Sequence, residues 1–412
     1  MFHINIAERR ITRLFDMAFV NLTETAILFI DHFILKSLHP EDLAVKFNIS
    51  VDEVQADFEF IIRSLAKKGF NINKDNLLDT TDFIEDLSAV WSPITPIVHI
   101  IQNCNSPCIM CDCWKVKEKN FHNCNILKKL FYDLKNKGAL SIMLSGGEPL
   151  MHPDLEAIII SLKDLDLGCE LNTNGLLLHK NLWLLEYNID EIVISMDSTS
   201  AEGYKTIRGL NKFNLVWQNF DKIKTIKPEQ NIGIRVTVTK EILYNLQDTI
   251  NFFLNKGVNY IGFSPLDTIS SSFSRTNNNK NRSKYLSDKL LCENSHLKNL
   301  QKILCDKNST LSRYIDKNYI DKKISWSSLS FLNCINYYLN ENSNYVSSQN
   351  MCIFPLSSLV LDYNGDLKNC FYSKPFGNIY EYTNIDWKSK ASLADLINKS
   401  KCVSCRGKIF CG

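Results

Sequence analysis

Short apolar runs alternate with segments of helical periodicity through the middle of this 412-residue chain. The runs predict six β-strands, at residues 97–102, 141–145, 169–173, 191–196, 232–239 and 259–264. Helical patterns lie between them, such as the one over residues 126–134. Strands that alternate with helices are typical of βαβ units, whose strands pair in parallel. The sequence therefore predicts an α/β domain over residues 96–266.

The first predicted strand leads into a loop with three cysteines. Cys104, Cys108 and Cys111 have the spacing C-x3-C-x2-C. Iron–sulfur cubanes are normally held by four thiolates, so three leave one iron free to bind a small molecule. Taken alone, the motif could also be a zinc or ferredoxin-like loop. Cys113 could compete as a ligand, although a bystander thiol is the favoured interpretation.

Four further motifs follow the cysteines in order. They are Ser145-Gly146-Gly147-Glu148-Pro149, Leu171-Asn172-Thr173-Asn174-Gly175, Val193-Ile194-Ser195-Met196-Asp197 and Ile207-Arg208-Gly209. Adjacent glycines at a strand end let the backbone approach a ligand closely, and a glutamate can accept a hydrogen bond from an ammonium group. Alternation places Ser195 and Asp197 on one face of their strand. Each motif alone is also a common turn, strand-end cap or surface ion pair.

The cysteine spacing and the ordered motifs together resemble the radical S-adenosylmethionine (SAM) superfamily. The resemblance implies an α/β fold with a partial (β/α)6 TIM-like barrel, whose chemistry lies at the carboxyl ends of the strands. It implies that Cys104, Cys108 and Cys111 are catalytic and hold a 4Fe–4S cluster that binds SAM. It also implies SAM contacts from Met110, Gly146, Gly147, Glu148, Asn174, Ser195, Asp197 and Arg208.

The same resemblance implies a role for each SAM-binding residue. The turn at Glu148 would hold the amino group of SAM, and the strand of Ser195 and Asp197 would offer polar groups to its ribose and methionine portion. Arg208 would lie near the carboxylate of SAM, which suits its always-charged planar fork. The position before the third cysteine is usually aromatic; here Met110 is a flexible apolar residue that can fill the same space.

A second group of cysteines lies near the end of the chain, in a predicted domain over residues 351–412. Its members are Cys352, Cys370, Cys402, Cys405 and Cys411. The spacing resembles the SPASM/twitch extension, which implies at least one auxiliary iron–sulfur cluster. The first four cysteines match the shorter twitch arrangement, which leaves Cys411 free, substituting or ligating. Four such thiolates could also build a structural zinc ribbon. Residues 267–350 are predicted as a bridging loop and helices.

Residues 1–72 are predicted as a small winged-helix-like domain, joined to the barrel by a linker over 73–95. A capping box at Ser50-Val51-Asp52-Glu53 begins its last helix. Acidic residues outnumber basic ones in this segment, so no nucleic-acid partner is predicted. The segment resembles a precursor-peptide recognition element, which binds a leader peptide as an added strand. Val54 and Phe58 are predicted to line the groove; a plain packing domain is the alternative.

The composition of the chain indicates the cellular compartment in which we expect the protein. The start of the chain lacks a basic segment followed by an apolar run, so no secretory signal is predicted. Fourteen cysteines without such a signal favour a reducing compartment and metal binding rather than disulfides. No apolar stretch reaches about 18 residues, so no membrane partner is expected. The protein is therefore predicted to be cytoplasmic.

Together the three parts resemble maturases of ribosomally made peptides. The resemblance implies that the reduced cluster gives one electron to SAM, and that a 5′-deoxyadenosyl radical then removes a substrate hydrogen. A frequent product in such relatives is a sactipeptide-type thioether between a cysteine sulfur and an α-carbon. The implied partners are a precursor peptide with its leader and an electron donor such as flavodoxin or ferredoxin.

Two other functions remain open from the sequence. A SAM-dependent dehydrogenase or cofactor-biosynthesis enzyme acting on a small molecule would not need residues 1–72. A non-catalytic iron–sulfur electron carrier would need neither an open iron nor the Gly-Gly-Glu turn.

Overall fold

A computed structural model describes most of the chain, which divides into two compact units. The described residues of the first unit end at residue 78, and those of the second begin at residue 93. The described residues are 2–5, 10–13, 19–67, 70–73, 77–78, 93–117, 120–187, 189–266, 280–325, 328–339, 359–371 and 373–381. Among the predicted auxiliary-cluster ligands, Cys352, Cys402, Cys405 and Cys411 lie outside these ranges, and Cys370 lies within them.

The N-terminal unit combines a four-stranded sheet with three α-helices. The strands are β1 (Phe2–Asn5), β2 (Arg10–Arg13), β3 (Phe19–Asn21) and β4 (Leu77–Leu78), in the order β3-β2-β1-β4. The helices are α1 (Glu24–Ile30), which continues as a π-helical turn (Asp31–Leu35), α2 (Pro40–Phe47) and α3 (Val51–Lys67). β1 pairs antiparallel with β2 and parallel with β4.

The predicted capping box begins α3. The backbone N–H of Ser50 donates to a carboxylate oxygen of Glu53 at 2.9 Å, and the N–H of Glu53 donates to Ser50 Oγ at 3.2 Å. The apolar face of α3 then packs into the core of the unit, where Val54 is completely buried. The prediction that Val54 lines a peptide groove is therefore wrong, because its side chain is packed inside this core and has no surface that a peptide could contact. Phe58 is half-buried and packs against the same residues.

The second unit is built on six parallel strands, and the predicted fold class is confirmed. They are β5 (Ile97–Ile101), β6 (Ser141–Gly146), β7 (Gly168–Thr173), β8 (Glu191–Ser195), β9 (Ile232–Val238) and β10 (Tyr260–Pro265). Each strand pairs in parallel with the next one along the chain. Each predicted run thus forms a strand, with ends that differ by about one residue.

Helices connect most of these strands. They are α4 (Cys124–Asn136), α5 (Leu155–Asp164), α6 (Ala201–Arg208), α7 (Phe213–Ile226), α8 (Lys240–Tyr244) and α9 (Leu246–Asn255). The connection from β7 to β8 instead uses two 3-10 segments, Leu178–Lys180 and Leu182–Tyr187. The repeated strand–helix pattern is thus interrupted at this one crossover among the described residues.

The two faces of the parallel sheet differ in burial. Alternate residues such as Val98, Leu144, Leu171 and Ile194 are completely buried, as expected where helices cover one face. The residues between them are partly exposed and include many polar side chains. Because successive side chains point to opposite faces, the polar set shares the inner face. This inner face ends at the carboxyl ends of the strands, where the cysteine loop begins.

Both edges of the parallel sheet are covered. Ile261 of β10 donates to the carbonyl of Lys323 at 2.9 Å and accepts from Ser325 at 2.9 Å. Helices α10 (Lys280–Leu290), α11 (Asn294–Cys305), α12 (Thr310–Ile320) and α13 (Ser328–Leu339) belong to this region. At the other edge, β11 (Val360–Leu361) pairs with β5, followed by β12 (Asp366–Lys368) and β13 (Gly377–Asn378).

The short strands β11–β13 extend the sheet with residues that the sequence placed in the C-terminal domain. β11 runs parallel to β5, and β12 pairs antiparallel with both β11 and β13. Within the described ranges, no helix has the length and apolarity that crossing a lipid bilayer requires.

Candidate active site

The cysteine loop follows β5 and is fastened to the end of α6. The N–H of Ile109 donates to the carbonyl of Ile207 at 2.9 Å, and Ser106 Oγ donates to the carbonyl of Arg208 at 3.1 Å. Gly209 ends α6 with a φ of +77°, and a Cβ there would lie 2.5 Å from the carbonyl oxygen of Pro107. Glycine is therefore needed at this position for two reasons. It adopts the left-handed conformation that ends the helix, and it leaves room for the loop to approach closely.

Polar side chains surround the three predicted cluster ligands. Cys108 is buried, whereas Cys104 and Cys111 are half-buried. Arg208 Nη1 lies 3.8 Å from Cys108 Sγ, and Asn174 Nδ2 lies 3.8 Å from Cys104 Sγ. Burial, followed by the nearby charge of Glu148, raises the pKa of Cys104 to about 12. Cluster binding must therefore displace thiol protons, since metal ligands are thiolates.

The thiols do not converge on one point. No three Cys, His, Asp or Glu side chains of the described part of the chain are arranged to ligate a single metal ion. A cubane does not require such convergence, because its four irons each take their own thiolate.

The two glycines of the Gly-Gly-Glu turn bring β6 against the cysteine loop. A Cβ on Gly146 would lie 2.2 Å from the carbonyl oxygen of Ile101, and one on Gly147 would lie 2.2 Å from the carbonyl oxygens of Gln102 and Asn103. The N–H of Gly147 donates to Ile101 at 2.7 Å. The close approach that the sequence predicted is therefore made to the protein backbone that leads to Cys104.

Glu148 is completely buried at the end of β6. Its carboxylate accepts hydrogen bonds from Thr173 Oγ1 at 2.6 Å, the N–H of Leu150 at 3.2 Å and the N–H of Asn174 at 2.8 Å. Burial raises the pKa of Glu148 to about 7 in spite of these bonds. A buried carboxylate of this kind is suited to a cationic ligand, because a cation would offset the cost of its charge.

Asp197 and Arg208 form a buried ion pair across the site. Arg208 Nη2 lies 2.5 Å from Asp197 Oδ2, and the N–H of Thr237 donates to Asp197 Oδ1 at 2.7 Å. Both residues thus have protein partners, and Arg208 also reaches Cys108. The predicted contacts of Asp197 and Arg208 with SAM remain predictions.

The other predicted SAM contacts lie near these groups. Asn174 is buried and donates to Asn105 Oδ1 at 2.7 Å, beside the cysteine loop. Ser195 is half-buried at the end of β8, in register with Arg235 of β9. Met110 is half-buried within the loop, and Cys113 is buried in a 3-10 turn after it. The fold thus brings residues from five separate sequence motifs, the cysteine loop and the four that follow it, to one end of the sheet.

Several polar residues on the inner face were missed by motif analysis. Tyr260 Oη donates to Glu191 Oε2 at 3.0 Å, and Ser141 Oγ donates to Glu170 Oε1 at 3.0 Å. Arg235 is exposed on the same face. The sequence pattern that could have identified these residues is a polar residue at every second position of an otherwise apolar strand.

His99, on β5, adds a titratable group to this inner face. Burial lowers the pKa of His99 to about 4, so its imidazole is neutral near pH 7. Its ring packs 5.8 Å from that of Phe371, next to Cys370. The β5 strand therefore links the cluster loop to the C-terminal segment.

The residues present fit the cofactors implied by the sequence. Cys104, Cys108 and Cys111 supply thiolates, and Glu148 supplies a buried carboxylate for an ammonium group. Two buried donor atoms at the site, Tyr204 Oη and Arg208 Nε, have no hydrogen-bond partner among the described residues. Such donors match anionic groups such as sulfide or carboxylate.

The fold and the site together define an α/β enzyme-like domain with a cysteine loop at the carboxyl end of its first strand. Residues 98–253 match the family model of the Radical SAM superfamily. This part of the chain is therefore a radical SAM domain, as the cysteine spacing and ordered motifs predicted.

Curated relatives match only part of the chain. The Probable GTP 3′,8-cyclase of Methanococcus aeolicus is 31% identical over 188 residues, which are 41% of this chain and 59% of that protein. The Probable GTP 3′,8-cyclase of Sulfurisphaera tokodaii is 33% identical over 128 residues, 29% of this chain and 39% of that protein. The match spans less than two thirds of either relative.

Solved structures resemble the chain over a greater length. Streptococcus suis SuiB bound to precursor peptide SuiA has a TM-score of 0.54 and 14% identity, covering 100% of this chain and 94% of that one. SuiB bound to S-adenosylmethionine also gives a TM-score of 0.54, over 97% of this chain and 90% of that one. At this level of identity the likeness establishes a shared fold.

Proposed function

We propose that this chain is a radical SAM maturase that modifies a ribosomally synthesised precursor peptide. The proposed product is a thioether from a cysteine sulfur to an α-carbon, or a related cross-link. One observation carries the proposal: a separate compact unit with a four-stranded sheet precedes the radical SAM domain in the same chain. The fold likeness to SuiB, which was solved with a precursor peptide, supports it.

Named side chains have separate tasks in this proposal. Cys104, Cys108 and Cys111 hold a 4Fe–4S cluster, and Glu148 accepts a hydrogen bond from the ammonium group of SAM. When bound, the cluster and SAM together supply an organic radical that abstracts a hydrogen atom from the substrate. The Asp197–Arg208 pair fixes the position of the Cys108 part of the loop.

The N-terminal unit is the proposed leader-binding module. β3 lies at one edge of its sheet, and an edge strand can pair with an added peptide strand. Backbone hydrogen bonds would give affinity for many sequences, and side-chain pockets would give selectivity. This module explains why the chain carries residues that a small substrate would not require.

The C-terminal cysteines are the proposed ligands of at least one auxiliary iron–sulfur cluster. Cys370 follows β12, in the segment that continues the sheet from β5. An external one-electron donor such as flavodoxin or ferredoxin would reduce the clusters. The C-terminal segment would thus bring the auxiliary cluster to the β5 side of the radical SAM domain.

A second candidate is a cofactor-biosynthesis enzyme acting on a small molecule. The two curated relatives named above are GTP 3′,8-cyclases, which favours a nucleotide substrate. Their similarity covers 29% and 41% of this chain, so it leaves much of the chain without an explanation. The peptide proposal accounts for more of the molecule.

Removal of residues 1–72 tests the proposal. The test requires a candidate substrate, which is a short cysteine-containing peptide with a leader segment. We expect the truncated chain to retain reductive SAM cleavage and to lose modification of this peptide, as measured by mass spectrometry. Supplying residues 1–78, which include β4, as a separate polypeptide should restore part of the modification.

The comparison of the two activities distinguishes the candidates. Undiminished peptide modification without residues 1–72 would remove the main support of the proposal. Conversion of GTP by the full chain, with no change in the peptide, would favour the small-molecule enzyme.

A further inference from the structure

Two hydrogen-bond donors on one face of α6 lack acceptors among the described residues. Tyr204 and Arg208 are four residues apart, so their side chains lie on the same side of the helix. Tyr204 has no exposed surface, and Arg208 is 8% exposed. Tyr204 Oη and Arg208 Nε have no hydrogen-bond partner in the part of the chain that the structure describes.

Packing explains the ring of Tyr204 but not its hydroxyl. The ring contacts Phe213 edge-on, with centroids 6.0 Å apart. A phenylalanine would make the same contact without burying a polar group. A buried hydroxyl without a partner is unfavourable, and each such group in a native protein calls for an explanation.

Arg208 lies beside the cysteine loop, and Tyr204 lies one helical turn before it on the same face of α6. Arg208 Nη1 is 3.8 Å from Cys108 Sγ, and Ser106 on the loop donates to the carbonyl of Arg208. The Tyr204 phenol lies within electrostatic reach of Arg208, Cys108, Asp197 and Glu148. Burial raises the pKa of Tyr204 to about 12, so the hydroxyl keeps its proton and remains a donor at neutral pH.

We propose that Tyr204 Oη and Arg208 Nε donate hydrogen bonds to sulfur atoms of the iron–sulfur cluster on its Cys108 side. Hydrogen bonds to cluster sulfurs stabilise the additional negative charge of the reduced state, and they are one of the factors that set its potential. Tyr204 is therefore a residue that tunes the cluster and does not contact the substrate. The inference rests on the cluster assignment made above, and it does not depend on a peptide substrate.

The Tyr204→Phe variant tests this role with two measurements. In the metal-free chain the hydroxyl has no partner among the described residues, so its removal should leave the unfolding midpoint unchanged or higher. In the reconstituted chain without SAM, the cluster potential should become more negative in an anaerobic redox titration.

Tyr338→Phe is a matched control. Tyr338 is also buried, but its Oη accepts from the N–H of Leu266 at 2.6 Å and donates to the carbonyl of Val238 at 3.0 Å. This variant should lower the unfolding midpoint of the metal-free chain and leave the cluster potential unchanged. The two variants are thus expected to show opposite patterns.

Three results would overturn the inference. One is a lower unfolding midpoint of metal-free Tyr204→Phe, which would assign the hydroxyl a structural role. Another is an unchanged cluster potential together with weaker SAM binding, which would assign it to SAM. Failure of the wild-type chain to bind iron would contradict the cluster assignment as well, whereas the first two results leave that assignment intact.

Discussion

At the residue scale, the site has two buried carboxylates, Asp197 and Glu148, whose charges are stabilised in different ways. Asp197 faces a guanidinium at 2.5 Å, so each charge has a protein partner. Glu148 is equally buried, its hydrogen-bond donors among the described residues are neutral groups, and burial raises its pKa to about 7. The first arrangement stabilises the folded site, and the second is suited to a cationic ligand.

Glu148→Gln should weaken SAM binding by about tenfold or more, because a charged acceptor for the ammonium group is lost. Iron content should be unchanged. Since the ionised form of Glu148 binds a cation, wild-type affinity should rise as the pH increases through about 7. The variant should lose this dependence. Calorimetric titration of SAM at several pH values measures both effects, and equal affinities would show that Glu148 does not contact SAM.

Breaking the Asp197–Arg208 pair should be strongly destabilising. Removal of one partner leaves the other as an uncompensated buried charge, which costs about 3–5 kcal/mol. We expect Asp197→Asn and Arg208→Gln each to lower the free energy of unfolding of the metal-free chain. The double variant should cost less than the sum of the two. Additive losses in urea denaturation would show that the pair is not coupled.

At the element scale, the cysteine loop is held between two backbone contacts. The turn after β6 touches the start of the loop through Gly146 and Gly147, and the end of α6 touches it through Gly209. Each contact needs a residue without a Cβ, because the opposing carbonyl oxygens would otherwise overlap with it. The glycines therefore act on the cluster through the position of the loop.

Gly147→Ala should displace the loop and reduce iron incorporation, since the new Cβ would lie 2.2 Å from two carbonyl oxygens. Gly262→Ala is the control, because the nearest atom to its Cβ is 3.6 Å away. Iron analysis and the cluster absorbance after reconstitution measure the effect. Similar iron content in the two variants would contradict the proposed role of the turn.

At the scale of the whole molecule, separate parts of the chain support separate parts of the proposed function. The radical SAM match covers residues 98–253, and the described residues up to 78 form a separate unit with its own core. The C-terminal cysteines, apart from Cys370, lie outside the described residues. The auxiliary cluster therefore rests on the cysteine spacing.

Iron content of the whole chain tests the auxiliary cluster. Two cubanes would give about seven to eight irons per chain, allowing for incomplete loading. Replacing Cys104, Cys108 and Cys111 together by Ala should abolish SAM cleavage but leave about half of this iron. Anaerobic metal analysis would contradict the expectation if it found one zinc per chain and no iron in the triple variant.

Local patterns were sufficient for the strands and for the order of the motifs. Each of the six apolar runs became a parallel strand, because alternating burial requires apolar residues on the helix-covered face. The capping box at Ser50 formed because its hydrogen bonds are local. The burial of Val54 was not predictable, since the helical pattern does not say which neighbour covers a given residue.

The sequence by itself determined the cysteine loop, the parallel order of the strands and the radical SAM domain, because spacing and periodicity are local properties of the chain. Only the tertiary structure decided that Arg208 pairs with Asp197, that Glu148 is buried among neutral donors, and that Tyr204 Oη has no acceptor within the described ranges. Each of these facts depends on residues from separate elements of the fold that meet where the strands end. Burial and pairing are set by those neighbours, and the charge, pKa and ligand preference of the site follow from them.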